Sequence, residues 1–230
     1  MLEKKSILFE DNHLLIVNKP SGVLVQEDLE NGSETLEDMV KEYIKIKYKK
    51  PGAIYLGVTH RIDRPVSGAV ILTKTSKALT RVNEDFREKK IKKTYWAIVE
   101  GRIDDDGGTL VHYITKNQDM NKSFAYKKEK AGSKRAELTF KVVEMFDRYT
   151  LIEIDLITGR HHQIRCQMAV IGHPIRGDVK YGSKRPIENQ AICLHAKTIK
   201  LIHPVTKETI TVNAPLPSTN AWGMIPKTTT

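Results

Sequence analysis

One stretch constrains this chain more than any other: His60-Arg61-Ile62-Asp63-Arg64-Pro65-Val66-Ser67-Gly68, followed at once by Ala69-Val70-Ile71-Leu72. Pro65 and Gly68 punctuate the backbone, so the first nine residues read as a turn and the apolar run after them as a buried strand. The turn carries one acid between two arginines. A carboxylate flanked by guanidinium groups stays ionised and is held in a fixed direction, because charge-assisted bonds are short and a nearby cation lowers an acid's pKa. Those are the properties of an aspartate nucleophile. Taken alone, the nine residues fit a solvated surface Asp better, since exposed pairs contribute little and structural ion pairs also perturb pKa values.

At 230 residues the chain lies between one large domain and two small ones. Apolar residues make up 40% and charged ones 29%, the balance of a soluble globular protein able to bury a real core. No apolar run has the length of a membrane span, and residues 1–10 lack the order of a signal peptide. Cys166 and Cys193 do not make a disulfide framework, so a reducing cytoplasm is the expected location. The charge is more telling. Thirty-eight Lys and Arg against 28 Asp and Glu leave a formal +10, which suits a polyanionic partner or a solubilising surface.

Along the chain, Ile7-Leu8-Phe9 and Leu14-Leu15-Ile16-Val17 predict two short strands, the second ended by Asn18-Lys19-Pro20-Ser21-Gly22. Thr35 and Asp38 are spaced as a capping box ahead of a helix whose buried face is Leu36, Met39, Val40, Tyr43 and Ile44. Ser76 is placed to cap a second helix, with Leu79, Val82 and Phe86 on its apolar side, reaching about Lys89. Thr94 to Val99 is a strand with Tyr95 and Ala97 on one face. Leu138 to Val142 and Leu151 to Ile157 are strands, and Arg160 to Ile171 has the spacing of a helix. Three short strands follow at 191–196, 199–202 and 209–212. The tail from Pro215, rich in Pro, Ser and Thr, is expected to be poorly ordered. No linker divides the chain, so residues 1–214 read as one catalytic domain.

Between Gly101 and Gly132 the pattern loosens, and Lys116 to Arg135 is lysine-rich with Phe124 and Tyr126 interleaved. This predicts a hairpin or extended loop reaching away from the body. Lysines beside aromatics can follow a nucleic-acid backbone and stack on bases, and a solvated mobile hairpin fits equally well. Other motifs fail. The kinase H-R-D loop is interrupted by Ile62, no phosphate loop occurs, and the spacing of His161, His162, Cys166, Cys193 and His195 matches no common zinc site.

Several stretches in series carry a resemblance. His60 to Gly68 resembles the H-R-L-D-R-x-T-S-G signature of the RluA-type pseudouridine synthases, and Asn18-Lys19-Pro20-Ser21-Gly22 that family's N-K-P-x-G opening. Lys93-Thr94-Tyr95 is similar to its K-x-Y strand, and Thr158 to Arg165 to its T-G-R-T-H-Q-I-R segment. Gly172-His173-Pro174, Gly177-Asp178, Tyr181-Gly182 and Leu194-His195-Ala196 complete the order. Val66 and His161 each replace a Thr, and Cys166-Gln167 an apolar-His pair.

The resemblance implies an α+β fold: a mixed, mostly antiparallel sheet with flanking helices and a central catalytic cleft. It implies isomerisation of uridine to pseudouridine in ribosomal or transfer RNA, without cofactor or metal, after the nucleotide is flipped out. Asp63 would be nucleophile or base, Tyr95 would lie against the uracil, and Arg165 would pair with Asp63, with Arg160 as the fallback. Arg61 would fill the gap left by the flipped base, with His60 and Arg64 beside it, and Leu194 would wall the pocket. Lys122, Lys127 and Lys128 would contact phosphates. The pattern starts near Ile7, so no separate N-terminal RNA-binding module is expected. A monomer is expected too, with no membrane or DNA partner. The rival reading is a non-catalytic RNA-binding protein on the same scaffold.

Overall fold

The structure is a computed structural model that describes residues 2–27, 33–219 and 222–225. Its elements in chain order are β1 (Ile7–Glu10), β2 (Leu14–Lys19), α1 (Leu36–Lys47), β3 (Gly57–Val58), β4 (Ser67–Thr73), α2 (Ser76–Arg87) and β5 (Lys92–Glu100). There follow β6 (Gly107–Asn117), β7 (Lys122–Tyr126), β8 (Lys134–Met145), β9 (Tyr149–Leu156), α3 (Gln163–Val170), β10 (Leu194–Ile202) and β11 (Thr209–Asn213). The chain forms two compact units: Met1–Lys93 with Ala196–Pro217, and Thr94–His195 with Ser218–Thr230.

In the first unit β2 pairs antiparallel with both β1 and β4, running from Leu14 opposite Thr73 to Lys19 opposite Gly68. Strand β10 lies beside β4 and pairs with β11. All seven residues of β4 are buried, as its apolar run requires. Strand alternation sends Leu14, Ile16, Ala69 and Ile71 into one core with Val82 of α2, Ile199 and Leu201, and Phe86 packs against it. Helix α1 begins at the predicted capping box: Asp38 N–H donates to Thr35 Oγ1 at 3.2 Å, and Thr35 N–H to the Asp38 carboxylate at 3.1 Å. Helix α2 is capped by Thr75, not Ser76. Thr75 is extended and its Oγ1 accepts from Ala78 N–H, whereas Ser76 is already the first helical residue.

The second unit is an antiparallel array in the order β5, β9, β8, β6, β7. Helix α3 packs on β6 and β7 around Ile114, Ala125, Ala136, Cys166 and Tyr181. It starts at Gln163 instead of Arg160, because His162 is left-handed at φ 51°. The Gln163 side chain closes that turn, accepting from Thr158 Oγ1 and Arg160 N–H and donating to Glu137 O. The loose lysine-rich stretch is an ordered hairpin, β6–β7, tied down within its own unit. Ser123 N–H donates to Tyr181 OH at 2.8 Å, and Lys180 Nζ to the carbonyls of Met120 and Asn121 at 3.2 and 3.1 Å.

Residues 194–202 form one continuous strand where two were predicted. Beyond Pro215, Trp222 and Ile225 are buried, and the Trp222 ring meets His195 edge-on at 5.9 Å. The antiparallel ladders with flanking helices α1, α2 and α3 are the α+β fold that the resemblance implied.

Candidate active site

The turn that bears Asp63 is fixed mainly through its backbone. Val66 N–H donates to Asp63 O at 3.0 Å, and Gly22 N–H to Arg64 O at 2.8 Å. Arg64 Nε returns a bond to Gly22 O at 2.9 Å, so the two motifs 18–22 and 60–68 are stitched together. Behind them lies Lys19, wholly buried, whose Nζ donates to Pro20 O (3.0 Å), Val23 O (2.7 Å) and Arg64 O (3.2 Å). Burial pushes its pKa down to about 7, and the charge of Asp63 pulls the other way. The three N–H groups of the protonated amine each find one of these carbonyls.

The exit of the turn is fixed as tightly. Gly68 sits at φ +117°, and a Cβ there would lie 2.4 Å from Ala196 O and 2.5 Å from Ala196 N. Only glycine lets the turn enter β4 against that backbone. At the entrance, Thr59 Oγ1 donates to Ile71 O at 2.7 Å, and His60 Nε2 accepts from Ile71 N–H at 3.0 Å. The imidazole is therefore neutral with its proton on Nδ1, and burial, with Lys93 adding, pushes its pKa down to about 3. Asp63 is partly buried, Arg61 and Arg64 are exposed, and Val66 is buried where a hydroxyl would have needed a partner.

The second unit carries the other sequence-predicted residues. Tyr95 is buried on β5, opposite Ile154 of β9, and Leu194 is buried at the start of β10. Arg165 is buried on α3, and beside the Asp63 pairing expected from sequence the structure gives it a carboxylate partner in Asp178. Its Nε donates to Asp178 Oδ2 at 2.7 Å and its Nη2 to Oδ1 at 2.9 Å, a bidentate clamp on a residue only 2% exposed. Gly177-Asp178 was part of the matched series, and that was the available signal. The guanidinium also stands over the Tyr181 ring at 5.0 Å. Tyr181 OH accepts from Ser123 N–H and bonds His162 Nδ1 at 2.8 Å, and burial raises its pKa. Burial likewise drives His162 down to about 2, with the charge of Arg165 adding, so this imidazole is neutral. Arg160 is different: it is exposed, and its Nε donates to Arg135 O on β8.

On the hairpin, Ser123 and Ala125 point inward and Lys122, Phe124 and Tyr126 outward. Lys122 lies over the rings of Phe124 (5.7 Å) and Tyr181 (5.2 Å), and Lys130 over Tyr126 (3.9 Å). Lys127, Lys128 and Lys130 are exposed.

The chain shares its fold with a solved human protein of pseudouridylate synthase type. The structure of human RNA pseudouridylate synthase domain containing 4 superposes with a TM-score of 0.77 at 23% identity, covering 93% of this chain and 89% of that one. The family model for RNA pseudouridylate synthase matches residues 13–170. An RNA pseudouridine synthase of Bacillus subtilis (strain 168), YhcT, is 33% identical over 214 residues, 92% of this chain and 68% of that protein. The ribosomal large subunit pseudouridine synthase C of Vibrio parahaemolyticus is 36% identical over 218 residues, 92% of this chain and 66% of its own length. The chain belongs to the RNA pseudouridylate synthases, isomerases of uridine in RNA. It spans about two thirds of the length of these curated relatives.

Proposed function

We propose that this chain converts uridine to pseudouridine at a defined site in structured RNA, with Asp63 as the nucleophile or base. The observation that carries the reading is the fixing of the Asp63 turn by Lys19, Gly22, Gly68 and Ile71. A reacting carboxylate needs a set direction, and a turn held through its main chain supplies one. The reaction breaks the N1–C1′ bond, turns the base and joins C5 to C1′. A proton leaves C5 and N1 ends protonated, so nothing is gained or lost and no cofactor is required. The target nucleotide is flipped out first, at a cost of a few kcal/mol.

In this reading Tyr95 lies against the uracil and assists proton transfer, and Leu194 walls the pocket. Arg165, its orientation set by Asp178, serves as the catalytic cation, and Arg61 fills the space that the base leaves. Lys122, Lys127, Lys128 and Lys130 take phosphates, which position the RNA without reading sequence. The relatives named as large ribosomal subunit synthases favour ribosomal over transfer RNA as the substrate.

Mapping pseudouridines in RNA from cells with and without the gene tests this directly: one or a few sites should disappear on deletion. Asp63→Asn should fail to restore them while still binding RNA, and restoration by that variant would refute the assignment. Replacing the four hairpin lysines together should weaken binding to different RNAs alike and flatten its salt dependence.

A further inference from the structure

Lys93 is a cation without a counter-charge among the described residues. It is only partly exposed, and its Nζ stands 5.3 Å from the centre of the Phe86 ring. Among the described residues no carboxylate, carbonyl or hydroxyl is bonded to it. The contrast within the same unit is direct. Lys19 meets three carbonyls, and Lys74 meets Glu10 at 3.1 Å and Asp11 O at 2.7 Å. Burial lowers the pKa of Lys93, with no acid to offset it. The Phe86 face gives partial compensation and leaves the N–H donors unmatched.

The neighbour on the other side offers no acceptor either. The charge of Lys93 acts on His60, whose Nε2 already accepts from Ile71 N–H. That assigns its proton to Nδ1, which is sealed from solvent and without a partner among the described residues. His60 and Lys93 thus share the Phe86 ring, at 4.9 Å and 5.3 Å, at the entrance of the Asp63 turn. A desolvated ammonium without an anion costs stability, and such groups gather where a ligand supplies the missing charge.

We propose that Lys93 is a phosphate-binding residue that takes a phosphodiester oxygen of the RNA next to the nucleotide being isomerised. The inference rests on the reading of this chain as a uridine isomerase. Lys93 keeps partial exposure, so a phosphate reaches its Nζ, and His60 links that position to the Asp63 turn.

The test uses Lys93→Met, which keeps the stem packed on Phe86 and removes only the charge. Unmodified transcripts of large-subunit ribosomal RNA and of transfer RNA serve as probes, with pseudouridine formation measured over a range of KCl concentrations. KM should rise roughly tenfold, the size of one charge-assisted hydrogen bond, while kcat changes by less than about twofold. The plot of log(kcat/KM) against log[KCl] should flatten by about 1. Tm should stay level or rise, because a desolvated charge has gone, and Lys93→Arg should restore KM and slope. Unchanged KM and slope would overturn the proposal. So would a fall in Tm with kcat falling alongside, which marks a packing role. If the wild-type chain forms no pseudouridine in either transcript, the reading of the site falls and this inference with it. That outcome is distinct from a silent substitution in an active enzyme.

Discussion

The two units fix their charged groups in opposite ways. In the first, the Asp63 turn is held by its main chain: Asp63 O and Arg64 O accept bonds, and Gly68 wedges against Ala196. In the second, Arg165 is held by its side chain, forked onto Asp178 and laid over Tyr181. The difference follows from what each group offers. A turn offers its main-chain carbonyls as acceptors, and Lys19 and Gly22 use them here. A guanidinium has five N–H donors and can give two to a clamp. Lys19 underlines the contrast, since it stabilises the turn by bonding carbonyls rather than an acid.

The largest expected break lies in the second unit. Asp178→Asn removes the clamping anion from a buried guanidinium, and the free energy of unfolding should fall by about 3–5 kcal/mol. Adding Arg165→Met to that variant should recover most of the loss, because removing both charges removes the penalty. Urea titration of the single and double variants decides it, and a loss below about 1 kcal/mol would mean that the pair is not buried as described.

A second test separates the two arginines. Arg165→Met should silence isomerisation, because the guanidinium that Asp178 holds in place is lost. Arg160→Met should do far less, because that side chain is exposed and bound to a backbone carbonyl. If the silencing change is the one at Arg160, the two roles are exchanged.

Lys19→Met breaks the first unit's way of fixing its turn. Three carbonyls lose their donor, at about 1–3 kcal/mol, and kcat should fall as the Asp63 turn loosens. The pH dependence carries a further signature. With a folded pKa of about 7 against the ordinary 10.5, the unfolded chain binds more protons between those values. Wild-type stability should therefore gain up to about 1.4 kcal/mol per pH unit across that window. The Met variant should lack this rise; if both proteins show it, Lys19 is not its source.

The smallest effect belongs to Tyr181→Phe. The ring stays, and Ser123 N–H and His162 lose a partner, at about 1 kcal/mol. Amide hydrogen exchange at Ser123 should accelerate while α1 is unaffected, and equal protection in both proteins would show that the hairpin is fixed elsewhere.

Much of this was legible without coordinates. The capping box at Thr35 and Asp38 and the burial of β4 depend on neighbours in sequence, and there the reading and the structure agree. The same locality explains the near misses. Ser76 and Thr75 are both good caps, and only the extended backbone at Thr75 selects between them. The start of α3 was placed three residues early because the left-handed turn at His162 is closed by Gln163 reaching Glu137 on another strand. Residues 194–202 were divided by pattern, whereas pairing with β11 keeps their later part extended.

What the sequence determined by itself is the position of most strands and helices and the excess of positive charge, and it supplied the candidates Asp63, Tyr95 and Arg165. What the tertiary structure decided is who holds them. Arg64 O meets Lys19 across 45 positions, and Ser123 N–H meets Tyr181 across 58. The physical reason is that local spacing encodes backbone conformation and burial, while the partner of a buried charge is whichever group the fold brings within about 3 Å. Asp178 could be read from the chain as part of a series, but not as the residue that clamps Arg165.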